Sequence, residues 1–198
     1  MSQTLSRREL NKVRTRTAIL DAARAGFAQH GVQGTTMDEI AATAEVSRAT
    51  LFNYFTGKGE ILDHLVEEMH LHFFARLASY STINDPIERV RLCFVETGEA
   101  MERDAVRLRP IVGYSELGWN ESGIVSRLER LTESFERLLE TPGKPSKRQL
   151  HDRRVVAEMM AGIFIGMIHN WRLNEDYPLA DRLGEAACWI GGMLRHRS

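Results

Sequence analysis

Two cationic side chains lie where helices are predicted to begin, in a segment that runs from residue 36 to residue 58 of the 198-residue chain. The guanidinium of Arg48 could fork onto guanine O6 and N7, or it could hold a phosphate. The ammonium of Lys58 precedes the next predicted helix, where it adds to exposed amides and to the positive end of the helix dipole. Thr36 can offer its hydroxyl and backbone amide to a phosphate in the same way. These residue types at these positions suit a polyanion.

Two short helices joined by a three-residue turn are predicted to position these side chains. Thr36-Met37-Asp38-Glu39 reads as a capping box, and the helix that it starts is expected to end near Ala44. Ser47 is a second N-cap, and its helix is expected over residues 48–55. The arrangement is a helix-turn-helix, and its second helix has the right width for a DNA major groove.

The apolar residues of this segment can form the small core that fixes the crossing angle of the two helices. They are Ile40, Ala41, Val46, Leu51 and Phe55. The side chains that remain outward on the second helix are Arg48, Thr50 or Ala49, Asn53 and Tyr54. A purely structural interpretation stays open, in which Thr36 and Ser47 only cap helices, Tyr54 packs at an edge, and Arg48 and Lys58 are solvated.

The segment resembles the amino-terminal domain of the tetracycline-repressor (TetR) family. The residues that carry the resemblance are Gly31-Val32-Gln33-Gly34-Thr35-Thr36-Met37-Asp38-Glu39-Ile40-Ala41-Ala42, then Val46-Ser47-Arg48-Ala49-Thr50-Leu51-Phe52-Asn53-Tyr54-Phe55, and Lys58. The match covers about 50 residues from Arg14 to Leu62. It implies that Thr36, Ser47, Tyr54 and Lys58 hold the DNA backbone, and that Arg48, Ala49, Thr50 and Asn53 face bases.

Three residues depart from the family pattern. Glu45 stands in the turn where glycine is common, so a left-handed backbone there would be strained. Phe52 replaces a common tyrosine and so lacks a hydroxyl, and Gly59 replaces a usual acidic residue after Lys58. These departures affect individual contacts rather than the fold.

The charge of the chain is unevenly distributed. The whole chain carries 26 Lys and Arg against 27 Asp and Glu, for a formal net charge of −1. Residues 1–58 hold eight basic and five acidic side chains, so this part has a net charge of +3 and the remainder has −4. Its first basic residues either add groove or phosphate contacts or belong to a disordered tail. These residues are Arg7, Arg8, Lys12, Arg14 and Arg16.

Helical periodicity predominates along the whole chain, so we predict an all-α protein with a helix-turn-helix domain at 1–60 and a larger helical domain at 61–198. The first helix is expected from Lys12 to His30, with Gly31 as its stop. A helix with one apolar stripe follows Lys58 to about Tyr80, and Asp85-Pro86 starts another. Pro110 is expected to interrupt or kink its helix.

The last two helices are expected at 147–174 and 179–195, as a helical hairpin. The first of them is apolar around most of its circumference, so its second face is predicted to meet another subunit. Gly162 and Gly166 could permit a close helix approach, although simple packing explains them equally well. The family resemblance implies a homodimer formed through these two helices, on an inverted-repeat operator in double-stranded DNA.

The family resemblance also implies a pocket for a small hydrophobic effector in the larger domain. The candidate lining residues are large and partly adaptable side chains, most of which are expected to be ordinary core: Phe94, Met101, Tyr114, Trp119, Met159, Phe164, Met167 and Trp171. A polar anchor for the effector could come from His169, Arg172 or Arg107. An ordinary surface charge or a helix cap explains these three residues equally well.

Several other classes of protein are disfavoured. No cysteine or histidine spacing suits a metal, so no cofactor is expected, and Cys93 and Cys188 are interpreted as two buried thiols. No secretory signal or membrane span is evident, which predicts a cytoplasmic protein. The sequence lacks a nucleophile elbow, a phosphate-binding loop and a paired-carboxylate site, which argues against an enzyme. The remaining alternative is a helix-turn-helix protein whose second domain serves protein interaction only, without an inducer.

Overall fold

The computed structural model describes residues 6–117, 121–141, 143 and 147–195. The described residues form helices and connections without a β-strand, so the predicted all-α class is confirmed. The helices are α1 (Arg7–Gly34), α2 (Met37–Thr43), α3 (Arg48–Tyr54), α4 (Lys58–Ser79), α5 (Pro86–Arg103), α6 (Ala105–Leu117), α7 (Glu121–Leu138), α8 (Lys147–Leu173) and α9 (Leu179–Arg195). A 3₁₀ turn, Tyr80–Thr82, follows α4.

The chain divides into two compact units, and the division does not fall at residue 60. The amino-terminal unit continues to Met69 and also takes in Ala105–Leu117, which is α6. The carboxy-terminal unit contains residues 70–104 and the chain beyond α6. Helix α4 therefore begins in one unit and ends in the other.

A single apolar core holds the amino-terminal unit together. Its fully buried side chains come from α1, α2, α3 and the first turns of α4, and Ile111 adds α6 to the same cluster. The burial of Ile40, Ala41, Leu51 and Phe55 confirms four of the five predicted core residues of the helix-turn-helix, and Val46 is partly buried against them. This core fixes α3 against the rest of the unit.

Helix α1 begins five residues before the predicted start. Ser6 accepts from the Glu9 amide, and the Glu9 carboxylate accepts from the Ser6 amide at 2.8 Å, so a capping box starts the helix at Arg7. Residues 7–16 are therefore helical rather than a disordered tail. At the other end, Gly31 adopts φ 68° and ψ 170°, a backbone conformation that favours glycine and interrupts the helix where a stop was predicted.

Helix α5 packs most extensively against α9 in the carboxy-terminal unit. It starts as predicted, with the Asp85 carboxylate accepting from the Ile87 amide and Pro86 in the first turn. The two helices approach closely at Gly98, where a β-carbon would lie 2.5 Å from Cα of Ala180. Only glycine allows the backbones to meet at this distance.

Two sequence-based expectations do not hold in full. Pro110 lies inside α6, which continues through it to Leu117, so the helix is not interrupted, whereas a kink at Pro110 stays a prediction. Cys93 is buried as expected, but Cys188 is exposed. The apolar neighbours of Cys188 suggested a core position, yet they belong in part to an outward face of α9.

Candidate DNA-binding surface

Side-chain caps start both helices of the helix-turn-helix. The Glu39 amide donates to Thr36 Oγ1 at 3.2 Å, and the Thr36 amide donates to the Glu39 carboxylate at 2.7 Å. These hydrogen bonds hold the pKa of Glu39 below its usual range, with the backbone amide of Thr36 as the largest cause. The Thr50 amide donates to Ser47 Oγ at 3.0 Å. Both predicted N-caps are thus confirmed.

The turn between α2 and α3 depends on one strained residue. Glu45 has φ 55°, so it occupies the left-handed region in which glycine is common. Its amide donates to the Ala42 carbonyl at 3.1 Å, and the next amide, of Val46, donates to the Ala41 carbonyl at 3.0 Å. The turn keeps its hydrogen bonds and the expected backbone despite the acidic side chain.

Helix α3 buries one face and exposes the other. Leu51 is fully buried and anchors the helix in the core. Ala49 and Asn53 are exposed on the opposite face, while Thr50 and Tyr54 are half-buried beside it. The structure therefore brings the predicted base-facing residues together on one accessible helix surface.

Arg48 opens α3 and has two partners that its sequence position did not reveal. Its Nη1 donates to Oδ2 of Asp38 at 2.8 Å, which links the first turns of α2 and α3. The centre of its guanidinium lies 5.5 Å from the centroid of the Phe52 ring. Asp38 and Phe52 are functional candidates that sequence reasoning missed. Phe52 could have been found, because it is an exposed apolar ring on a polar helix face.

Lys58 is bound to the backbone rather than extended into solvent. Its Nζ donates to the carbonyl oxygens of Val32 at 2.8 Å and Thr35 at 2.7 Å. Thr35 is the residue directly before the Thr36 cap. Lys58 thus fixes the connection from α1 to α2, and one of its three ammonium donors remains for a phosphate.

The basic residues of α1 have different environments. Arg16 is half-buried, where it contacts His64 and lies with its guanidinium 4.9 Å from the Phe55 ring centroid, so it supports the core. Arg8 and Lys12 are exposed. Together with Tyr54 at the end of α3, they line a cleft of about 640 Å³. Glu9 also lines this cleft, which therefore connects the end of α3 with two basic residues and one acidic residue of α1.

Five of the eight predicted effector-binding residues lie in the carboxy-terminal unit with buried or half-buried side chains. Phe94 and Phe164 contact each other with ring centroids 5.3 Å apart. Phe135 packs against both, at 5.8 Å and 5.5 Å, and Phe73 joins Phe164 at 5.5 Å. We call Phe73, Phe94, Phe135 and Phe164 the aromatic cluster. Met101 and Trp171 are buried and Met167 is half-buried in the same unit.

The other three predicted effector-binding residues are not part of this arrangement. Tyr114 lies in the amino-terminal unit, where its hydroxyl is 3.5 Å from the Gly59 carbonyl oxygen and where burial, aided by Asp63, raises its pKa. Met159 is 49% exposed on α8 and so faces outward. Trp119 lies outside the described residues. Of the possible polar anchors, His169 and Arg107 are exposed and Arg172 is half-buried.

An exposed apolar surface runs along α8 and α9. We call it the apolar face, and its exposed members are Val155, Met159, Gly162, Gly166 and Leu173 on α8 with Cys188, Trp189 and Met193 on α9. Gly192 on α9 lies beside them and is half-buried. Trp189 is 78% exposed, which is unusual for so large an aromatic side chain. No atom of the described residues lies within 4 Å of a β-carbon built on Gly162, Gly166 or Gly192. Sequence reasoning anticipated the second face of α8 but missed Trp189.

Within the described ranges, no group of three or more His, Cys, Asp or Glu side chains could hold a metal ion. None of the helices in the part of the chain that the structure describes is both long enough and apolar enough to cross a bilayer.

The amino-terminal unit matches a known protein family. The model of the tetR family of bacterial regulatory proteins matches residues 19–65, which include α2, α3 and the start of α4. Among curated relatives, the chain is 42% identical over 59 residues to YttP of Bacillus subtilis, a probable helix-turn-helix transcriptional regulator. It is 35% identical over 89 residues to the transcriptional repressor KstR2 of Mycobacterium tuberculosis. These matches cover 30% and 44% of the chain but only 28% and 44% of those relatives.

A solved structure matches most of the chain. SmeT, the repressor of the Stenotrophomonas maltophilia multidrug efflux pump SmeDEF, is 28% identical with a TM-score of 0.67, and the match covers 87% of this chain and 85% of SmeT. SmeT has also been solved as a complex with triclosan. The chain belongs to the tetR family of bacterial regulatory proteins.

Proposed function

We propose that the chain is a homodimeric, cytoplasmic transcriptional repressor that leaves a pseudo-palindromic DNA operator when a small hydrophobic ligand binds. The observation that carries this proposal is the exposed face of α3, a capped helix-turn-helix segment that presents Arg48, Ala49 and Asn53 outward. The family is one of transcriptional regulators, which excludes the enzyme hypothesis. KstR2 and SmeT are both described as repressors, which supports repression over activation.

The DNA contacts divide between bases and backbone. On α3, Arg48, Ala49, Thr50 and Asn53 face the edges of bases in the major groove. Thr36, Ser47 and Tyr54 hold phosphates on either side, and Lys58 adds its remaining donor. Arg8 and Lys12 extend the backbone contacts along the cleft on α1. The base contacts select the sequence and the phosphate contacts set affinity and register.

Dimerisation through α8 and α9 is supported by the apolar face. Exposed apolar residues along one face of each helix, with a 78% exposed tryptophan among them, are typical of a protein interface. Gly162 and Gly166 leave open space one turn apart on α8, so a second helix can approach its backbone there. Two subunits are also needed to place two copies of α3 in successive turns of the major groove.

The aromatic cluster is the part of the carboxy-terminal unit best suited to an apolar effector. Its four rings offer edge and face contacts to an aromatic or aliphatic ligand, and Met101 and Met167 are adaptable side chains of the same unit. The triclosan complex of SmeT supports a small, lipophilic ligand class. Most of the cluster is core in the free protein, so binding requires these side chains to rearrange.

Helix α4 is the element that couples the two activities. It starts at Lys58, beside the DNA-binding residues, and its last ten residues belong to the carboxy-terminal unit. A ligand that shifts its far end alters the separation of the two copies of α3. By linkage, the ligand must bind the conformation with low DNA affinity more tightly than the other, and DNA must weaken ligand binding by the same factor.

Selection of binding sites from a random duplex library with the purified protein tests the DNA-binding part of the proposal. We expect an inverted repeat to be enriched, with affinity that falls steeply as salt rises. Weak, salt-sensitive binding with no enriched sequence would contradict it.

Titration of the operator complex with a panel of lipophilic compounds tests the ligand part. A compound that releases the wild-type protein is expected to lose its effect on Phe94→Ala or Phe164→Ala protein, whereas Met159→Ala, outside the cluster, responds normally. Retention of the operator across the whole panel would favour a carboxy-terminal unit that serves protein interaction only.

A further inference from the structure

Arg48 is the only cation of α3, and it is paired with a carboxylate from the other helix of the helix-turn-helix. Asp38 lies in the first turn of α2, where the positive end of the helix dipole favours its negative charge. The two side chains are 67% and 62% exposed. Ion pairs between side chains this exposed contribute little to folding, so the significance of the pair lies in what it does to Arg48.

The geometry of the pair holds the guanidinium in one orientation. Asp38 Oδ2 accepts from Nη1 at 2.8 Å, and the Phe52 ring supports the guanidinium at 5.5 Å. The planar guanidinium has a second edge, formed by Nε and Nη2, for which no described residue acts as acceptor. That edge carries two parallel N–H groups, the arrangement that guanine O6 and N7 accept.

We propose that Asp38 is a specificity-determining residue, which positions Arg48 so that its free edge reads guanine and which discourages Arg48 from binding phosphates at random. The inference rests on the proposed function, because it concerns how α3 reads an operator. A guanidinium without a partner would donate hydrogen bonds to any nearby phosphate oxygen. One that already has a carboxylate partner gains less from a phosphate, and the carboxylate itself repels the DNA backbone. Asp38 thus lowers the affinity for non-specific DNA and increases the discrimination between bases.

Asp21 provides a matched control for Asp38. Its carboxylate accepts from Arg24 at 2.6 Å on α1, and its side chain is also 62% exposed. Asp21→Asn therefore removes one negative charge and one exposed ion-pair partner from the same unit without affecting α2 or α3.

The experiment uses the operator selected by the wild-type full-length protein. The position read by Arg48 is first identified as the one at which Arg48→Ala relaxes the base preference. The dissociation constants of wild type, Asp38→Asn and Asp21→Asn are then measured on the operator, on a duplex with adenine in place of that guanine, and on a random duplex. Melting temperatures are measured in parallel to show that each variant is folded.

We expect Asp38→Asn to reduce the preference for guanine over adenine by about fivefold to tenfold. A bidentate contact discriminates between bases only when the guanidinium is correctly oriented, and this orientation is what the variant loses. Its affinity for the random duplex should rise by about twofold to fivefold because a negative charge is lost near the backbone. Asp21→Asn should leave the guanine preference unchanged. Asp38→Glu keeps the charge, so its random-duplex affinity should remain near that of the wild type.

Three results would overturn the inference. The first is an Asp38→Asn protein that keeps the wild-type guanine preference, even if its random-duplex affinity rises, because Asp38 would then act only as a negative charge. The second is an equal loss of preference in Asp21→Asn. The third is an Arg48→Ala protein that relaxes no position. In each case an operator has still been selected, so the proposed regulator would stand, whereas failure to select any operator would instead refute the proposed function.

Discussion

The ammonium of Lys58 donates to the carbonyl oxygen of Thr35 at 2.7 Å, across 23 residues of sequence. A second bond, to Val32 at 2.8 Å, ties the same ammonium to the end of α1. Lys58 thereby fixes the backbone immediately before Thr36, which caps α2. A residue that the family resemblance assigns to phosphate binding therefore also holds the backbone of the helix-turn-helix in place.

Lys58→Ala should therefore weaken both folding and DNA binding. Loss of two charge-assisted hydrogen bonds from a half-buried ammonium is expected to lower the free energy of unfolding by about 1–2 kcal/mol. Operator and random-duplex affinities should fall together. Thermal unfolding and binding titrations on both duplexes measure these effects, with Lys12→Ala, an exposed lysine, as the control that should weaken DNA binding without affecting stability. A Lys58→Ala protein of unchanged stability would show that its bonds to the backbone are unimportant.

Trp189→Glu should prevent the proposed dimer from forming, so that the protein remains a monomer. If the apolar face forms the interface, a carboxylate on it would be buried without a partner on association, and that desolvation opposes dimerisation. Light scattering should give the 22.5 kDa mass of one chain for the variant and twice that mass for the wild type. Leu71→Glu is a suitable control because Leu71 is another exposed apolar residue, 56% exposed, that lies on α4 outside the apolar face. A dimeric Trp189→Glu protein would place the interface elsewhere.

Glu45→Gly should stabilise the protein. Its φ of 55° disfavours any residue with a β-carbon, and glycine removes that strain at some cost in chain entropy. The net gain is expected to be about 0.5–1 kcal/mol, which corresponds to roughly 1–4 °C in melting temperature for a chain of this size. Thermal unfolding followed by circular dichroism measures it. Glu45→Ala, which keeps a β-carbon, should show no comparable gain, and an equal gain would mean that the charge rather than the backbone is responsible.

Gly98→Ala should destabilise the carboxy-terminal unit. The added methyl would lie 2.5 Å from Cα and 3.0 Å from the amide nitrogen of Ala180, so α5 and α9 must move apart. Overpacking of this kind costs about 1–3 kcal/mol. Gly57→Ala, where nothing lies within 4 Å of the new carbon, serves as the control in a chemical denaturation series. A Gly98→Ala protein as stable as the control would contradict the close approach of these helices.

Local signals in the sequence predicted the helix-turn-helix well. Four features depend only on residues within four positions of one another, so the sequence alone predicts them. They are the Thr36 cap, the Ser47 cap, the left-handed backbone at Glu45 and the helix start at Asp85-Pro86. The early start of α1 was missed although Ser6 and Glu9 have capping-box spacing, because the surrounding basic residues suggested a tail.

Tertiary contacts account for what the sequence could not reveal. The bonds from Lys58 to α1 span more than 20 residues, and the pairing of Arg48 with Asp38 depends on the crossing of α2 and α3. The sequence predicted the helix at 179–195 but did not show that its outward side is apolar, so the exposure of Cys188 and Trp189 was not anticipated.

The most direct test of the central claim, that α3 reads DNA, is a competition titration of the selected operator against a scrambled duplex of the same length. Wild type and Arg48→Ala are compared with Arg91→Ala, which loses an exposed arginine of the carboxy-terminal unit. The account predicts that wild type and Arg91→Ala prefer the operator equally, and that Arg48→Ala loses about fivefold or more of this preference per half-site. An Arg48→Ala protein that discriminates as well as the wild type would contradict it.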